Sequence, residues 1–401
     1  MTRSPLHHEH VALGATMVEF AGWDMPVRYS SDVAEHRAVR EAAGLFDISH
    51  MGEIAVRGPQ AAAGLDAAVV SGMERVPIRT AKYTMICTAH GGVIDDLIVY
   101  RRDWDHFIIV ANAANVDTVF AELTQRLADY DATVTNITDQ VSLLAVQGPV
   151  AQQIVTRMCV VGADDVRALA PYTWCTVMLD GDIHALAART GYTGEDGFEL
   201  FVVPDDAVAV WRLALAVGEP LGLVPCGLSA RDTLRLEAGM PLYGHELTTL
   251  TTPYDVGLGR VVQTAAARVL LPPDARGSAR LSDHKQPRGN FVGQHALAAA
   301  KEAHDAALAD PASAPAQARV LVGLVGQSGR VARAGYEVFA GEDHVGIVSS
   351  GAPSPTLGKP VAMAMVHPRV SAPGTALDID VRGRRETMAV TALPLYRRRA
   401  S

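Results

Sequence analysis

Residues 91–100 read Gly-Gly-Val-Ile-Asp-Asp-Leu-Ile-Val-Tyr and predict a β-strand that begins at Val93. Successive side chains of a strand point to opposite faces, so Asp95 and Asp96 are expected on opposite sides. The residues predicted on the Asp96 side are Ile94, Ile98 and Tyr100. A carboxylate among aliphatic residues is costly unless it is satisfied or useful. Two interpretations remain open: an edge strand whose acids meet solvent, and a buried carboxylate with a raised pKa that accepts a proton from a substrate amine.

The surrounding sequence alternates short apolar strands with amphipathic helices. Residues 107–111 predict a strand that forms a hairpin with 93–100, and residues 115–128 carry apolar side chains at helical spacing. A further strand is predicted at 142–146, before Gln147-Gly148-Pro149. These alternations indicate a mixed α+β fold.

Length and composition limit the class of protein. The chain has 401 residues and a formal net charge of −9, which predicts two or three domains and does not indicate a basic surface for nucleic acid. No apolar run approaches the roughly 20 residues that span a bilayer, and the first residues lack a signal-peptide core. We therefore expect no membrane partner and a cytoplasmic location. The histidines near the N-terminus are expected to be solvated rather than to bind metal; they are His7, His8 and His10.

The composition changes near residue 264. Residues 1–263 are predicted to form two interleaved α+β subdomains, and 264–290 an inserted loop or linker. In 291–401 a helix at 293–303 and a loop at 305–318 precede a small β-barrel or sandwich. Its six predicted strands are 320–325, 335–340, 344–349, 361–366, 377–382 and 387–393.

A glycine-rich block at 190–197 precedes a strand that carries Glu199. Three glycines in seven residues permit unusual backbone angles and the close approach of a ligand. Glu199 is expected on the same face as Phe201, and a carboxylate beside an aromatic ring suits the amidine-like edge of a flat heterocycle such as a pterin. An acidic glycine-rich hairpin with no ligand is the alternative.

Arg231 is predicted in the first turn of a short helix at 230–238. Ser229 is expected to be its N-cap and Gly239 its C′ residue. A cation there opposes the helix dipole, so Arg231 either meets an anion or forms a local ion pair. The four cysteines are widely spaced and predict reduced thiols, and no metal motif is present. We therefore expect no metal, and proton handling rather than covalent catalysis.

Taken in order, these segments resemble the aminomethyltransferase family, the T-protein of the glycine cleavage system. The resemblance covers nearly the whole chain, and any single motif is weak whereas the ordered set is strong. Besides the Asp95-Asp96 strand, Gln147-Gly148-Pro149, the glycine-rich block and the Arg231 helix, the matching segments are 17–26, 44–52 and 349–358.

The resemblance implies a three-domain cloverleaf around a folate site, with a C-terminal β-barrel. It implies that the methylene of the aminomethyl group on lipoylated H-protein passes to tetrahydrofolate, with ammonia released and 5,10-methylenetetrahydrofolate formed. The position matching Asp96 is the family's key acid, near folate N10, and the one matching Glu199 binds the pterin edge. The other implied folate-pocket positions are Arg231, Arg397, Met51, Tyr83, Tyr100, Tyr172 and Tyr192.

This sequence departs from the family pattern at several points. Residues 264–286 resemble an insertion, and Leu395 stands where an aromatic residue is common, which puts Arg397 in doubt. Two rival functions remain: a related folate-dependent demethylase, and a non-catalytic folate-binding factor for iron–sulfur assembly. The second requires a reactive cysteine, and Cys226 in Pro-Cys-Gly-Leu fits that signature poorly.

Overall fold

The Asp96 strand lies inside a five-stranded antiparallel sheet. The computed structural model describes residues 1–265, 269–271, 280–286, 288–327 and 329–398. In order across the sheet, the strands are Thr80–Cys87, Val93–Arg101, His106–Ala111, Gly52–Arg57 and Thr133–Asn136. The hairpin between 93–101 and 106–111 is confirmed. Because the Asp96 strand has a partner on each side, its interpretation as a solvent-facing edge is wrong.

The predicted alternation fails at one residue. Asp95 pairs with Ile86 and Val93 with Cys87, so Ile94 is an extra residue and forms a β-bulge. Ile94 consequently packs in the same buried cluster as Leu97, away from the face on which Asp96 lies. The prediction that Ile94 shares the Asp96 face is therefore wrong, whereas Ile98 and Tyr100 pack together in a different cluster, as predicted.

A second sheet packs face to face against the first. Across this seven-stranded sheet the order is Cys159–Val161, Trp174–Leu179, Ile183–Ala188, Gly197–Val202, Ser142–Gln147, Ala43–Asp47 and Leu223–Pro225. Phe198 and Leu200 pack in a core with Trp211, whereas Phe201 joins Ile108 and Val110 of the first sheet in a shared apolar layer. The alternation predicted around Glu199 is confirmed.

The helices pack around the two sheets, and the 228–237 helix contributes Ala230 and Leu234 to the apolar layer between them. Their bounds are His7–Ala12, Asp32–Glu41, Ala61–Ala68, Val116–Arg126, Ala151–Met158, Ala163–Ala168, Ala207–Gly218, Leu228–Glu237 and Gln294–Ala309. Short 3-10 turns occur at Ala113–Asn115, Thr138–Gln140, Pro204–Asp206, Glu219–Leu221, Gly259–Val261 and Pro368–Val370. A small three-stranded sheet contains Thr2–Arg3, Trp23–Arg28 and Thr16–Phe20. Among the described residues, no helix combines the length and apolar character needed to cross a bilayer.

The site helix, Leu228–Glu237, begins earlier than predicted. Its N-cap is Gly227 rather than Ser229. A side chain would not fit at Gly227, because its Cβ would sit 2.3 Å from the backbone of Val27. At the other end Gly239 follows Ala238 with a φ of +66°, as its predicted C′ role requires.

The C-terminal strands close into a six-stranded barrel, so the sandwich alternative is wrong. Around the barrel the strands are Val320–Gly326, Lys359–Val366, Asp343–Ser354, Glu337–Ala340, Ala376–Asp380 and Arg385–Thr391. Each overlaps one of the six predicted segments. The α+β fold with a C-terminal barrel is confirmed.

The described residues between the sheets and the barrel include more regular structure than the composition predicted. The predicted loop at 264–290 lies partly outside the described residues; those described include a short hairpin of Leu270–Leu271 with Arg280–Leu281. Arg288 anchors its end by contacting the carboxylate of Asp66 at 3.0 Å. The helix predicted at 293–303 extends to Ala309, into the predicted loop. The boundaries at 263 and 290 stay predictions.

Two of the N-terminal histidines are buried, so their predicted solvation is wrong. His10 contacts the carboxylate of Asp47 and the hydroxyl of Tyr29, each at 2.8 Å. His7 is likewise buried. The short helix His7–Ala12 places both against the core rather than in solvent.

Candidate functional site

The double aspartate lies at the centre of a cluster of amide side chains. Asn112 donates through Nδ2 to Oδ1 of Asp96 at 2.7 Å and to Oδ1 of Asp95 at 2.9 Å. Asp95 also accepts hydrogen bonds from the backbone N–H of Asn112 and from Nδ2 of Asn115. One amide therefore fixes both carboxylates, while Asp96 keeps its second oxygen for other partners.

Asp96 is held on that second oxygen by a tyrosine. The hydroxyl of Tyr83 donates to Oδ2 of Asp96 at 3.0 Å from the neighbouring strand. Burial raises the pKa of Asp96, while the hydrogen bonds from Tyr83 and Asn112 and the charge of Arg231 oppose this increase. Asp96 is partly exposed, whereas Asp95 is completely buried. Asp96 is therefore the acid of the pair that a ligand can reach.

Glu199 stands in a second hydrogen-bonded group on the opposing sheet. Its Oε2 accepts from Tyr100 Oη at 2.9 Å and from Thr190 Oγ1 at 2.5 Å. Tyr100 in turn packs edge to face against Phe201, with ring centroids 5.0 Å apart. One carboxylate oxygen is thus fixed by two hydroxyls, and Oε1 remains available to a ligand with N–H donors.

Arg231 is a largely buried cation without an acidic partner among the described residues. Its guanidinium lies 5.2 Å from the centroid of the Tyr192 ring, and Nη2 lies 3.9 Å from the sulfur of Met51. Burial lowers the pKa of Arg231, and Tyr192, Glu199 and Asp96 lie near enough to oppose that decrease. Arg235 on the same helix pairs with Asp232 and Glu246, and the local-pair alternative does not hold for Arg231.

Tyr172 borders the same group of side chains from a loop with a φ of +61°. Its ring is 45% exposed. Partial burial and the charge of Glu199 raise the pKa of Tyr172, and Tyr172 also lies within electrostatic range of Tyr83 and Tyr100. Eight of the nine predicted site residues therefore meet in one place: Asp96, Glu199, Arg231, Met51, Tyr83, Tyr100, Tyr172 and Tyr192.

Arg397 is the predicted residue that these contacts do not include. It is exposed, and no contact among the described residues joins it to the other eight. The adjacent chain is anchored, because the N–H of Tyr396 donates to the carbonyl of Glu237 and Arg40 stacks over the Tyr396 ring at 4.0 Å. Its role as a folate contact stays a prediction.

The glycine-rich block adopts one of the predicted unusual backbone angles, at Gly194 with a φ of +82°, and accommodates a neighbouring side chain. A Cβ on Gly191 would lie 2.0 Å from the side chain of Gln147, and one on Gly197 would lie 2.3 Å from it. Gln147 donates to the carbonyl of Thr190 and accepts from Thr193. Gly191 and Gly197 therefore make room for a buried glutamine that supports the strand of Glu199, and the close approach of a ligand to this block stays a prediction.

Sequence reasoning missed two polar side chains that organise the site. Asn112 lies just beyond the predicted strand 107–111, and the observed pairing of Ile98 with Val110 places it opposite Asp96. Thr190 begins the glycine-rich block and fixes Glu199. The signal that could have identified Asn112 is a polar residue directly after an apolar strand. For Thr190 the sequence offers no signal beyond its place next to the glycines.

Cys226 lacks the surroundings of a reactive thiol. It is buried in the apolar layer between the sheets, and burial raises its pKa well above the usual value. Within the described part of the chain, no cluster of histidine, cysteine and acidic side chains could hold a metal ion. The groups that could do chemistry are thus a partly exposed acid, a second carboxylate and a cation.

The chain is similar over nearly its whole length to known proteins. The GCVT N-terminal domain family matches residues 6–266, and the glycine cleavage T-protein C-terminal barrel domain matches residues 319–397. An aminomethyltransferase of Streptomyces coelicolor is 50% identical over 99% of this chain and 98% of its own, and one of Cutibacterium acnes is 45% identical over 99% of each.

A solved structure gives the same result. The glycine cleavage system aminomethyltransferase T of Bartonella henselae is 32% identical, with a TM-score of 0.82 over 98% of each chain. Family models, relatives and fold agree, and the chain belongs to the glycine cleavage T-protein family, the folate-dependent aminomethyltransferases.

Proposed function

We propose that this aminomethyltransferase takes the aminomethyl group carried on the lipoyl arm of H-protein, passes its methylene to tetrahydrofolate and releases ammonia. The observation that supports this most directly is the Asp96 carboxylate, which Asn112 and Tyr83 hold in a partly exposed position beside Glu199 and Arg231. Family membership supplies the reaction, and the site supplies the groups that it needs.

The reaction moves one carbon from a sulfur and an amine nitrogen to two folate nitrogens. The aminomethyl carbon loses its bonds to sulfur and to the amine nitrogen and gains bonds to N5 and N10 of the folate. The two hydrogens on those nitrogens leave as protons, one to the dihydrolipoyl thiol and one to the departing ammonia. No electrons are gained or lost, so the protein must position two substrates and manage protons.

Asp96 is the group that we assign to this proton handling. Its raised pKa brings the carboxylate closer to the range in which it can exchange a proton with an amine. Because Asn112 holds Oδ1, the orientation of the carboxylate is fixed. We propose that Asp96 orients that amine and assists proton transfer as ammonia leaves.

Glu199 is proposed to recognise the pterin edge. Tyr100 and Thr190 fix Oε2, so Oε1 can accept from the N–H groups of the heterocycle, and a charge-assisted hydrogen bond is stronger than a neutral one. The proposed pocket also includes Arg231 as the cation, with Arg397 less securely assigned. Its remaining walls would come from Met51, Tyr83, Tyr100, Tyr172 and Tyr192.

The partner assignments follow from the proposed reaction. Lipoylated H-protein would deliver the aminomethyl group, and tetrahydrofolate would act as acceptor substrate. We propose a cytoplasmic location, and a division of the chain at 263 and 290 into a folate-binding region, an inserted segment and the barrel domain.

The experiment that tests the proposal replaces Asp96 by Asn. Purified protein should release ammonia from aminomethylated H-protein only when tetrahydrofolate is present. Asp96→Asn should lower the transfer rate by roughly 10²–10⁴, the range for a lost proton-transfer group, while folate affinity stays within a few-fold. Asp205→Asn, which changes an exposed acid away from the site, is the matched control. Near-normal transfer by Asp96→Asn would show that another group handles the proton.

A further inference from the structure

Asp95 has surroundings that a purely structural acid does not require. It is completely buried in the middle of the sheet, and its hydrogen bonds come from amide groups of Asn112 and Asn115. No cation among the described residues lies within ion-pair distance of it. A buried carboxylate without a counter-ion is costly when charged, so three amide donors are its compensation.

The same amide connects Asp95 to the reacting acid. Nδ2 of Asn112 carries two hydrogens, and its contacts with Oδ1 of Asp95 and Oδ1 of Asp96 use both. Asp95 additionally accepts a hydrogen bond from the backbone N–H of Asn112 at 3.0 Å. This bond fixes the backbone of Asn112, from which the side chain extends to Asp96. The orientation of Asp96 therefore depends on Asp95 through Asn112.

We infer that Asp95 is a positioning residue for the transfer reaction, and that Asp95 and Asp96 act as one carboxylate pair, bridged by the Asn112 amide, that holds a proton between them. This inference rests on the proposed role of Asp96. It differs from a structural role for Asp95, because it requires that the charge of one carboxylate controls the ionisation of the other.

Electrostatics agree with the geometry of the pair. Burial and the charge of Asp96 raise the pKa of Asp95 to about 7, against the opposing effect of the hydrogen bonds from Asn115 and Asn112. Two like charges held by one amide do not ionise independently, and the proton belongs to the pair. The titratable or charged groups that face the pair are Tyr83, Tyr192, Tyr243 and Arg231.

Of these neighbours, Arg231 is the cation, and it acts on Asp96. The phenols remain neutral where the pair titrates, because the pKa values of all three are raised. Arg231 therefore favours the charged form of Asp96, the partly exposed member, while the proton belongs to the pair as a whole. The Asn112 amide keeps Asp96 oriented when an amine enters.

The test observes the proton directly in the full-length protein. Infrared difference spectra of protein labelled with ¹³C at the aspartate side-chain carboxyl should show a carboxylic-acid C=O band that titrates near neutral pH. Asp95→Asn should remove that band, lower kcat by about 10-fold or more through misplacement of Asp96, and leave KM for tetrahydrofolate within about two-fold.

A second variant keeps the test valid if Asp95→Asn folds poorly. Asn115→Ala removes one donor to Asp95 and no contact to Asp96, so it should move the midpoint of the band to higher pH. Asp66→Asn, which alters a buried acid paired with Arg288 away from the site, should leave the band unchanged. Because the infrared spectra are recorded without substrate, the outcome of this test does not depend on whether Asp96→Asn loses transfer activity.

Two outcomes would overturn the inference. The first is the absence from the wild-type protein of any aspartate carboxylic-acid band between pH 5 and 9. The second is a band that survives Asp95→Asn or does not move in Asn115→Ala. Either result would return Asp95 to a structural role, whatever the activity of Asp96→Asn.

Discussion

Glu237, the last residue of the site helix, connects that helix to the barrel. Its carboxylate accepts hydrogen bonds from Ser354 and Thr356 of the barrel and contacts His36 at 3.1 Å and Arg40 at 3.0 Å. The side chain is completely buried. Replacing it with glutamine removes the charge and keeps the shape, so Glu237→Gln isolates the electrostatic part of this connection.

The size of the effect follows from the ionisation of Glu237. Burial would raise its pKa, but the hydrogen bond and charge of His36, together with the barrel hydroxyls, lower it from 4.5 to about 2. At about 1.4 kcal/mol per factor of ten in the ionisation constant, this difference corresponds to about 3 kcal/mol of folding free energy. A folded pKa below the unfolded one means that this stability is complete above about pH 4.5 and is lost as pH falls toward 2.

The assay is urea-induced unfolding followed by circular dichroism at several pH values. At pH 7 we expect Glu237→Gln to lower the free energy of unfolding by about 3 kcal/mol, and below about pH 3 the difference from the wild type should shrink. Glu122→Gln, at a partly exposed pair with Arg126, should cost under about 1 kcal/mol. A loss below about 1 kcal/mol for Glu237→Gln, or one independent of pH, would refute the reasoning.

Three further predictions concern the site and its frame. Glu199→Ala should weaken tetrahydrofolate binding by about 1–3 kcal/mol in calorimetry, and unchanged affinity would rule out its pterin role. Gly92→Ala should destabilise the fold by about 1–3 kcal/mol in thermal unfolding, because its Cβ would lie 1.9 Å from the carbonyl of Thr249, whereas Gly289→Ala, with open space around it, should not. Cys226→Ala should transfer methylene within a few-fold of wild type in the ammonia-release assay; lost transfer in a folded variant would show that the Cys226 thiol takes part in the reaction.

Local sequence patterns predicted the helices and strands better than they predicted the contacts between them. The six barrel strands were predictable because each alternates within itself and ends at a turn. Asp96 could be assigned to a different face from Asp95 because side chains alternate along a strand. The bulge at Ile94 could not be predicted, since an extra residue in one strand appears only when its partner, 80–87, is paired with it.

The contacts that complete the site depend on register between distant segments. Asn112 bridges the two acids only because Ile98 pairs with Val110 across the hairpin. The pattern of glycines at 191 and 197 suggests a loop that approaches a ligand. The residue that they accommodate, Gln147, lies some forty residues earlier in the chain. A sequence shows which residues are unusual, but the partner that makes them necessary is visible only in three dimensions.

The electrostatic balance of the site explains why so many neutral groups surround its charged ones. Arg231 lies among aromatic and sulfur atoms, its pKa lowered by burial, and its nearest acids, Asp96 and Glu199, are each held by hydroxyl or amide donors rather than by Arg231 itself. Paired directly, these charges would neutralise one another and leave nothing for a substrate. Held apart, they cost stability that an entering ligand with its own donors and acceptors can restore. The buried ion pairs of Arg235 and Glu237 on the same helix offset that cost, so the helix carries its functional cation and its structural charges on separate residues.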